Sequence, residues 1–134
     1  MRIYKTRSFD KWAAKEGLVD PVLAAAVAEM EAGLIDAELG GQVVKKRVSL
    51  AARGKRGGAR TLLAYRQGDR AFFVYGFAKN ERDNIDAKEL KALKQLAAIQ
   101  LGWNDTQLAH ALHEGTLIEV DHDEPTAEDP ARNR

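Results

Sequence analysis

Apolar residues recur at two different periods along this chain. Leu23, Ala26, Val27, Met30 and Leu34 follow one another at steps of three and four, which predicts one face of an amphipathic helix. Over residues 43–77 the apolar residues instead alternate or run together, which predicts three consecutive strands at 43–50, 59–66 and 70–77. A chain with both periods is expected to be α+β, with two N-terminal helices packed on a small antiparallel sheet.

Turn and capping residues predict the remaining elements. Ser8 is expected to cap a first helix that ends at Gly17, and Asp20, followed by proline, is expected to cap a second. Asp86 and Glu89 have the spacing of a capping box, which predicts a third helix ending near residue 102. A short strand at 2–6, a loop at 51–58, a hairpin turn at 67–69, a helix at 105–113 and a strand at 116–120 complete a two-layer fold.

Alternation along the predicted strands assigns side chains to faces of the sheet. Lys45 and Arg47 fall on one face, away from most of the apolar residues of their strand. Tyr65, Phe73 and Tyr75 are expected to share one face of the hairpin and to belong to the core. Tyr75, near the strand end, could expose its hydroxyl group.

The composition sets limits on the class of protein. A chain of 134 residues with 31% charged residues suits one globular domain. It has no cysteine, which excludes a disulfide framework, a thiolate metal site and a cysteine nucleophile. No apolar run reaches the ~20 residues of a membrane span, and the N-terminal residues lack the apolar core of a signal peptide. We therefore expect a cytoplasmic protein that does not enter a membrane.

The net charge of +1 hides a strong segregation of charge along the chain. Residues 39–68 contain no acidic residue, whereas residues 121–134 are acidic until Arg132. The basic segment predicts contact with a polyanion such as RNA. The acidic tail is expected to be mostly disordered, and its removal should leave activity unchanged or raise it.

Two motifs, one within the basic segment and one after it, carry a family resemblance. The first runs from Lys46-Arg47-Val48 to Gly54-Lys55-Arg56-Gly57-Gly58-Ala59-Arg60-Thr61, and the second is Tyr75-Gly76-Phe77-Ala78-Lys79-Asn80-Glu81. With the predicted order of elements, they resemble the RelE/HigB family of bacterial toxins from type II toxin–antitoxin modules, in particular its HigB-like branch. The resemblance implies a toxin domain at 1–101, a C-terminal extension at 102–120 and the tail at 121–134.

The resemblance also implies a function. Relatives are small endoribonucleases that inhibit translation by cutting mRNA, usually on the ribosome, and a cognate antitoxin neutralises them. No metal or other cofactor is implied. The expected catalytic residues are Arg60, Lys79 and Lys55, and the expected RNA-binding residues are Lys46, Arg47, Arg53, Arg56 and Asn80. Since a hairpin joins their strands, Arg60 and Lys79 should converge on one edge of the sheet.

Several alternatives stay open at this point. The general base is not assigned. A lysine crowded by Arg56 and Arg60 is one candidate, and Tyr75, Glu81 and Asp83 are weaker ones. Electrostatic stabilisation of the transition state could also suffice without a dedicated base. A ParE-like toxin that binds DNA gyrase would use the same scaffold without cutting RNA. A helix-turn-helix element at 96–117 is disfavoured because a strand-like segment and acidic neighbours follow it. The three histidines do not have the pattern of a metal site.

Overall fold

The computed structural model describes residues 1–50, 54–79 and 84–122, without the side chains of residues 55–57. The described part contains four helices and six strands, and the α+β class predicted from the sequence is confirmed. The elements in chain order are β1 (Arg2–Thr6), α1 (Arg7–Glu16), α2 (Asp20–Glu31), β2 (Ala37–Gly40), β3 (Val43–Leu50), β4 (Gly54–Arg66), β5 (Arg70–Ala78), α3 (Ala87–Leu101), α4 (Asp105–Glu114) and β6 (Leu117–Glu119).

The six described strands form one sheet in the order β2-β3-β4-β5-β1-β6. The β1–β5 pair is parallel and the other pairs are antiparallel. β2 was not predicted, because it is short and ends in a glycine turn. Gly54 opens β4, so the predicted loop at 51–58 is too long at its C-terminal end; residues 51–53 lie outside the described part.

Helices cover both faces of this sheet, so the predicted two-layer arrangement is wrong. One core contains Phe9 of α1, Leu23 of α2 and Phe73 of β5. A second core on the opposite face contains Phe72 of β5 and Ala97 of α3. We call these sides the α1–α2 face and the α3–α4 face. Alternating strand residues serve two cores, which is why the central strands are apolar on both faces.

The helix ends show which capping predictions hold. Asp86 and Glu89 form the predicted capping box of α3, and Gly17 ends α1 with a left-handed φ of 79°. The N-cap of α1 is Thr6 rather than Ser8, because the Thr6 hydroxyl oxygen accepts the N–H of Phe9 at 3.2 Å. Asp20 lies inside α2 instead of capping it.

The segment at 102–120 is built into the same sheet. Leu108 and Ala111 of α4 are buried in the core of the α3–α4 face, and β6 pairs with β1. The N–H of Val120 donates to the carbonyl of Ile3 at 2.9 Å. Across residues 1–50, 54–79 and 84–122, no helix is both long and apolar enough to cross a membrane.

Candidate active site

The strand register places two of the predicted cations side by side on the α3–α4 face. Arg47 of β3 lies opposite Arg60 of β4, and Arg60 lies opposite Phe77 of β5. Directly opposed residues of an antiparallel pair point to the same side, with Cβ atoms about 5 Å apart. Three neighbouring strands therefore present two guanidinium groups and an aromatic ring in one row.

Arg60 has the environment of a group kept available for a ligand. Its side chain is half-buried, and within the described part of the chain it forms no ion pair or hydrogen bond. The next residue, Thr61, is fully buried and donates its hydroxyl to the carbonyl of Lys46 at 2.8 Å. This bond joins β3 to β4 beside Arg60, so the strand that carries the guanidinium is held in place.

Lys79 lies at the same end of the sheet, immediately after β5. Its N–H donates to the carbonyl of Gly58 at 3.2 Å, and Ala78 pairs with Ala59, one residue before Arg60. The Lys79 side chain is exposed and, among the described residues, has no partner. The predicted convergence of Arg60 and Lys79 is thus found. We call Arg47, Arg60 and Lys79 the cationic edge.

Lys46 is directed to the opposite face and is already neutralised. Its side chain is buried on the α1–α2 face, where Nζ lies 2.7 Å from Oε1 of Glu29 and donates to the carbonyl of Leu34 at 3.0 Å. These two partners compensate the ammonium for its lost hydration and link β3 to α2. Lys46, expected as an RNA-binding residue, therefore lies on the face opposite Arg60 with its charge already paired.

Arg47 has a weaker partner and stays accessible. Its Nη2 lies 3.8 Å from Oδ1 of Asp36, and 64% of its side-chain surface is exposed. An exposed pair at that distance contributes little energy. The other Asp36 oxygen accepts the backbone N–H of Arg47 at 2.6 Å. Asp36 thus holds the strand while leaving most of the guanidinium exposed.

A family model described as the RelE toxin of the RelE/RelB toxin–antitoxin system matches residues 1–120. The chain belongs to the RelE toxin family. No curated protein matches it. A RelE-family chain has the toxin role in a toxin–antitoxin system, with a RelB-type antitoxin as its partner. The match is to the family as a whole, so the HigB-like branch stays a prediction from the two motifs.

In this RelE-family toxin, a β-bulge changes the face on which one aromatic residue lies. Leu62 pairs with Tyr75 but Leu63 pairs with Phe73, so Val74 is the extra residue in β5. Tyr65 and Phe73 lie in the core of the α1–α2 face, whereas Tyr75 packs against the core of the α3–α4 face. The prediction that all three share a face is therefore wrong. The bulge brings Tyr75 onto the face of Arg60.

Glu89 is a neighbour of the site that the sequence indicated only as a capping residue. Its Oε1 accepts the N–H of Asp86 at 3.3 Å, and its Oε2 accepts the hydroxyl of Tyr75 at 3.3 Å. The rings of Tyr75 and Phe77 are 6.2 Å apart. The first turn of α3 therefore places a carboxylate at the aromatic margin of the cationic edge.

The remaining predicted site residues cannot be placed. Arg53 and Asn80 lie outside the described residues, as do Glu81 and Asp83, and the side chains of Lys55 and Arg56 do too. The backbone of Lys55 and Arg56 belongs to β4, before Arg60. Lys45, one row from Arg47 on the same face, is a further cation without a described partner.

Among the described residues, Lys5 and Asp20 have shifted pKa values and lie away from the cationic edge. Burial opposes the charge on Lys5, but hydrogen bonds to Asp10 and Asp20, each 2.8 Å from its Nζ, raise the pKa of Lys5 overall. Burial acts to raise the pKa of Asp20, yet Lys5 and the N–H of Asp121 lower it overall. In the described part of the chain, no group of three or more His, Cys, Asp or Glu residues could hold a metal ion.

Proposed function

We propose that this toxin is a metal-independent endoribonuclease that inhibits translation by cutting mRNA on the ribosome. The 2′-hydroxyl of the RNA would attack the adjacent phosphorus in line with the leaving 5′ oxygen. That reaction needs positioning, positive charge around the phosphorus, and transfer of one proton from the nucleophile and one to the leaving group. All of these can come from side chains.

The observation that carries this proposal is the cationic edge. Arg60 is fixed by the β3–β4 pairing, has no described partner and stands beside a second guanidinium. A planar guanidinium can donate two parallel hydrogen bonds to phosphate oxygens. Arg60 would therefore clamp the reacting phosphate and stabilise the charge that grows on it.

Arg47 and Lys79 would have supporting roles on either side of Arg60. Arg47, on the neighbouring strand, would bind the next phosphate along the RNA. The exposed ammonium of Lys79 would balance charge near the leaving oxygen. Lys55, Arg53, Arg56 and Asn80 keep the roles that the family resemblance gives them, as predictions.

The antitoxin would act on the same edge. A surface with several uncompensated cations favours an acidic segment of a partner. We expect the acidic segment of the RelB-type antitoxin to cover Arg47, Arg60 and Lys79 and to exclude RNA. Binding at this edge would explain neutralisation without any change in the fold.

Mapping of mRNA 5′ ends tests the proposal. The purified toxin is incubated with mRNA, with and without ribosomes, and new ends are located by primer extension. We expect breaks in phase with the reading frame, only with ribosomes, that carry 5′-hydroxyl ends. Arg60→Ala should lower the rate roughly tenfold to a thousandfold, as for the loss of one charge-stabilising donor.

A matched arginine provides the control. Arg66 belongs to the same strand but lies at its other end, where it is ion-paired with Asp69 at 3.1 Å. Arg66→Ala should cut mRNA at the parent rate. If Arg60→Ala folds and cleaves as fast as the parent, the assignment of Arg60 is wrong. A toxin that leaves RNA intact but traps gyrase on DNA would support the ParE-like alternative.

A further inference from the structure

The β5 bulge and the α3 capping box bring together two groups that can move a proton. The bulge turns Tyr75 to the face of Arg60, where it lies opposite Leu62 and diagonal to Arg60. Diagonal neighbours in an antiparallel pair are about 7–8 Å apart, within reach of a bound nucleotide that contacts both. Bulges commonly redirect a side chain next to an active site.

The carboxylate of Glu89 does more than the helix cap requires. In α4, Gln107 occupies the same N3 position and its Oε1 accepts the N–H of Asn104 at 2.9 Å. A neutral amide therefore completes this cap within the same chain. In α3 the residue is a glutamate, whose second oxygen lies 3.3 Å from the Tyr75 hydroxyl. The cap uses only Oε1, so Oε2 is the oxygen that contacts the Tyr75 hydroxyl.

We infer that Tyr75 and Glu89 form the proton-accepting pair of the cleavage reaction, an inference that rests on the proposed function. The Tyr75 oxygen would take the proton of the RNA 2′-hydroxyl while its own proton passes to Oε2 of Glu89. The O2′–P bond forms and the P–O5′ bond breaks, which leaves a 2′,3′-cyclic phosphate. The leaving 5′ oxygen takes a proton from water, and Glu89 later returns one to water.

In this relay Glu89 acts as the proton acceptor, and its Oε2 lies 3.3 Å from the Tyr75 hydroxyl. Positive groups lie on β3 and β4 on the same face of the sheet, and the α3 terminus adds the partial positive charge of its N–H groups. Within the described residues, the charged and titratable groups on this face of the sheet and in the first turn of α3 include Tyr75 on β5, Arg60 on β4, Lys45 and Arg47 on β3, and Asp86 and Lys88 on α3.

The test separates the proton-accepting role from the structural one. Glu89→Gln keeps an oxygen for the cap and removes the basic group, and Tyr75→Phe keeps the ring and removes the hydroxyl. The reciprocal change Gln107→Glu in α4 is the matched control. Cleavage of ribosome-bound mRNA is followed in single-turnover reactions across pH, and binding is measured with RNA that carries a 2′-deoxy sugar at the cut site.

We expect Glu89→Gln and Tyr75→Phe each to slow cleavage about a hundredfold to ten-thousandfold, the range for general acid–base catalysis. The double variant should be no slower than the slower single one, because the two groups act as a unit. The rise in rate with increasing pH should disappear in Glu89→Gln, while binding of 2′-deoxy RNA and the Gln107→Glu rate stay at parent values.

Two outcomes would overturn the inference and leave the proposed function standing. One is a parent that cuts mRNA while both site variants cut it at the parent rate. The other is a slower Glu89→Gln with the parent pH profile, since that would indicate a structural effect. A parent that cuts no RNA overturns both the function and the pair.

Discussion

Gly76 and Trp12 offer a sharp test of how the sheet is held behind the candidate site. Gly76 lies between Tyr75 and Phe77 but faces the other side, where Trp12 of α1 packs against it. A Cβ atom added at Gly76 would lie 2.7 Å from Cη2 of Trp12 and closer to two other ring carbons. Ordinary contacts between carbon atoms are about 3.5–4.0 Å. The ring would therefore have to move by roughly 1 Å or more.

That movement is restricted, so Gly76→Ala should destabilise the fold. The Trp12 ring packs against the Phe9 ring, with centroids 5.4 Å apart, and the Phe9 ring packs against the Phe73 ring. Overfilling a packed core costs about 1–3 kcal/mol. For a chain of this size, that corresponds to a fall in Tm of roughly 3 to 12 °C.

The measurement is thermal and urea unfolding of four proteins: the parent, Gly76→Ala, Trp12→Phe and the double variant. Trp12→Phe alone should destabilise by opening space, but it should also relieve the clash. Gly76→Ala should therefore cost about 1–2 kcal/mol less in the Trp12→Phe background, the coupling expected of two residues in contact.

Gly102→Ala is the control for the glycine effect itself. It restricts the unfolded chain in the same way, but its added Cβ would meet nothing closer than the carbonyl oxygen of Ala98 at 3.3 Å. We expect its Tm to stay near that of the parent. If Gly76→Ala is as stable as the parent, or costs the same with Phe at position 12, the contact does not constrain β5 as described.

Two further predictions concern the C-terminal end and the buried Lys5 network. A chain ending at His122 should keep the parent Tm and cut RNA at the parent rate or faster, because the hydrogen bonds of Val120 to Ile3 and of Asp121 to Asp20 remain. A chain ending at Gly115 loses β6 and should unfold. A large loss of activity on removing only residues 123–134 would contradict the first expectation. The lowered pKa of Asp20 means that its ionised form stabilises the fold above the unfolded-state pKa of about 4, and that this contribution is lost as the pH falls through the folded-state value. Asp20→Asn should therefore be less stable than the parent near pH 7, with a smaller difference near pH 3 by urea unfolding; a difference independent of pH would exclude the charge of Asp20 as its cause.

Periodicity predicted the elements of the fold because it depends only on neighbouring residues. The capping box at Asp86 and the three central strands follow from local spacing, and all are found. The predicted helix face is found from Leu23 to Met30, but Leu34 lies beyond the end of α2 and is exposed. The second layer of helices was not predicted, for a different reason. The apolar run of β5 indicated burial on both sides, but only tertiary packing shows that α3 and α4 supply the second cover.

The candidate site was predictable where it depends on strand order and not where it depends on exact register. Arg60 and Lys79 converge because a hairpin joins their strands, which the sequence shows. Tyr75 lies on the unexpected face because one extra residue in β5 shifts the alternation. Glu89 was visible as a cap, but its contact with Tyr75 requires the placement of α3 over β5.

The two faces of β3 explain why neighbouring cations in the sequence differ in what they can do. Lys46 and Arg47 are adjacent, yet they point to opposite sides of the sheet. On the α1–α2 face, α2 brings Glu29 to the Lys46 ammonium, and the two charges form an ion pair. On the α3–α4 face, Arg47 has only a long contact to Asp36, and Arg60 has no described partner. The face that each strand residue occupies therefore decides whether its positive charge stays available to an anionic ligand, and the density of basic residues along the chain overstates the number of available cations.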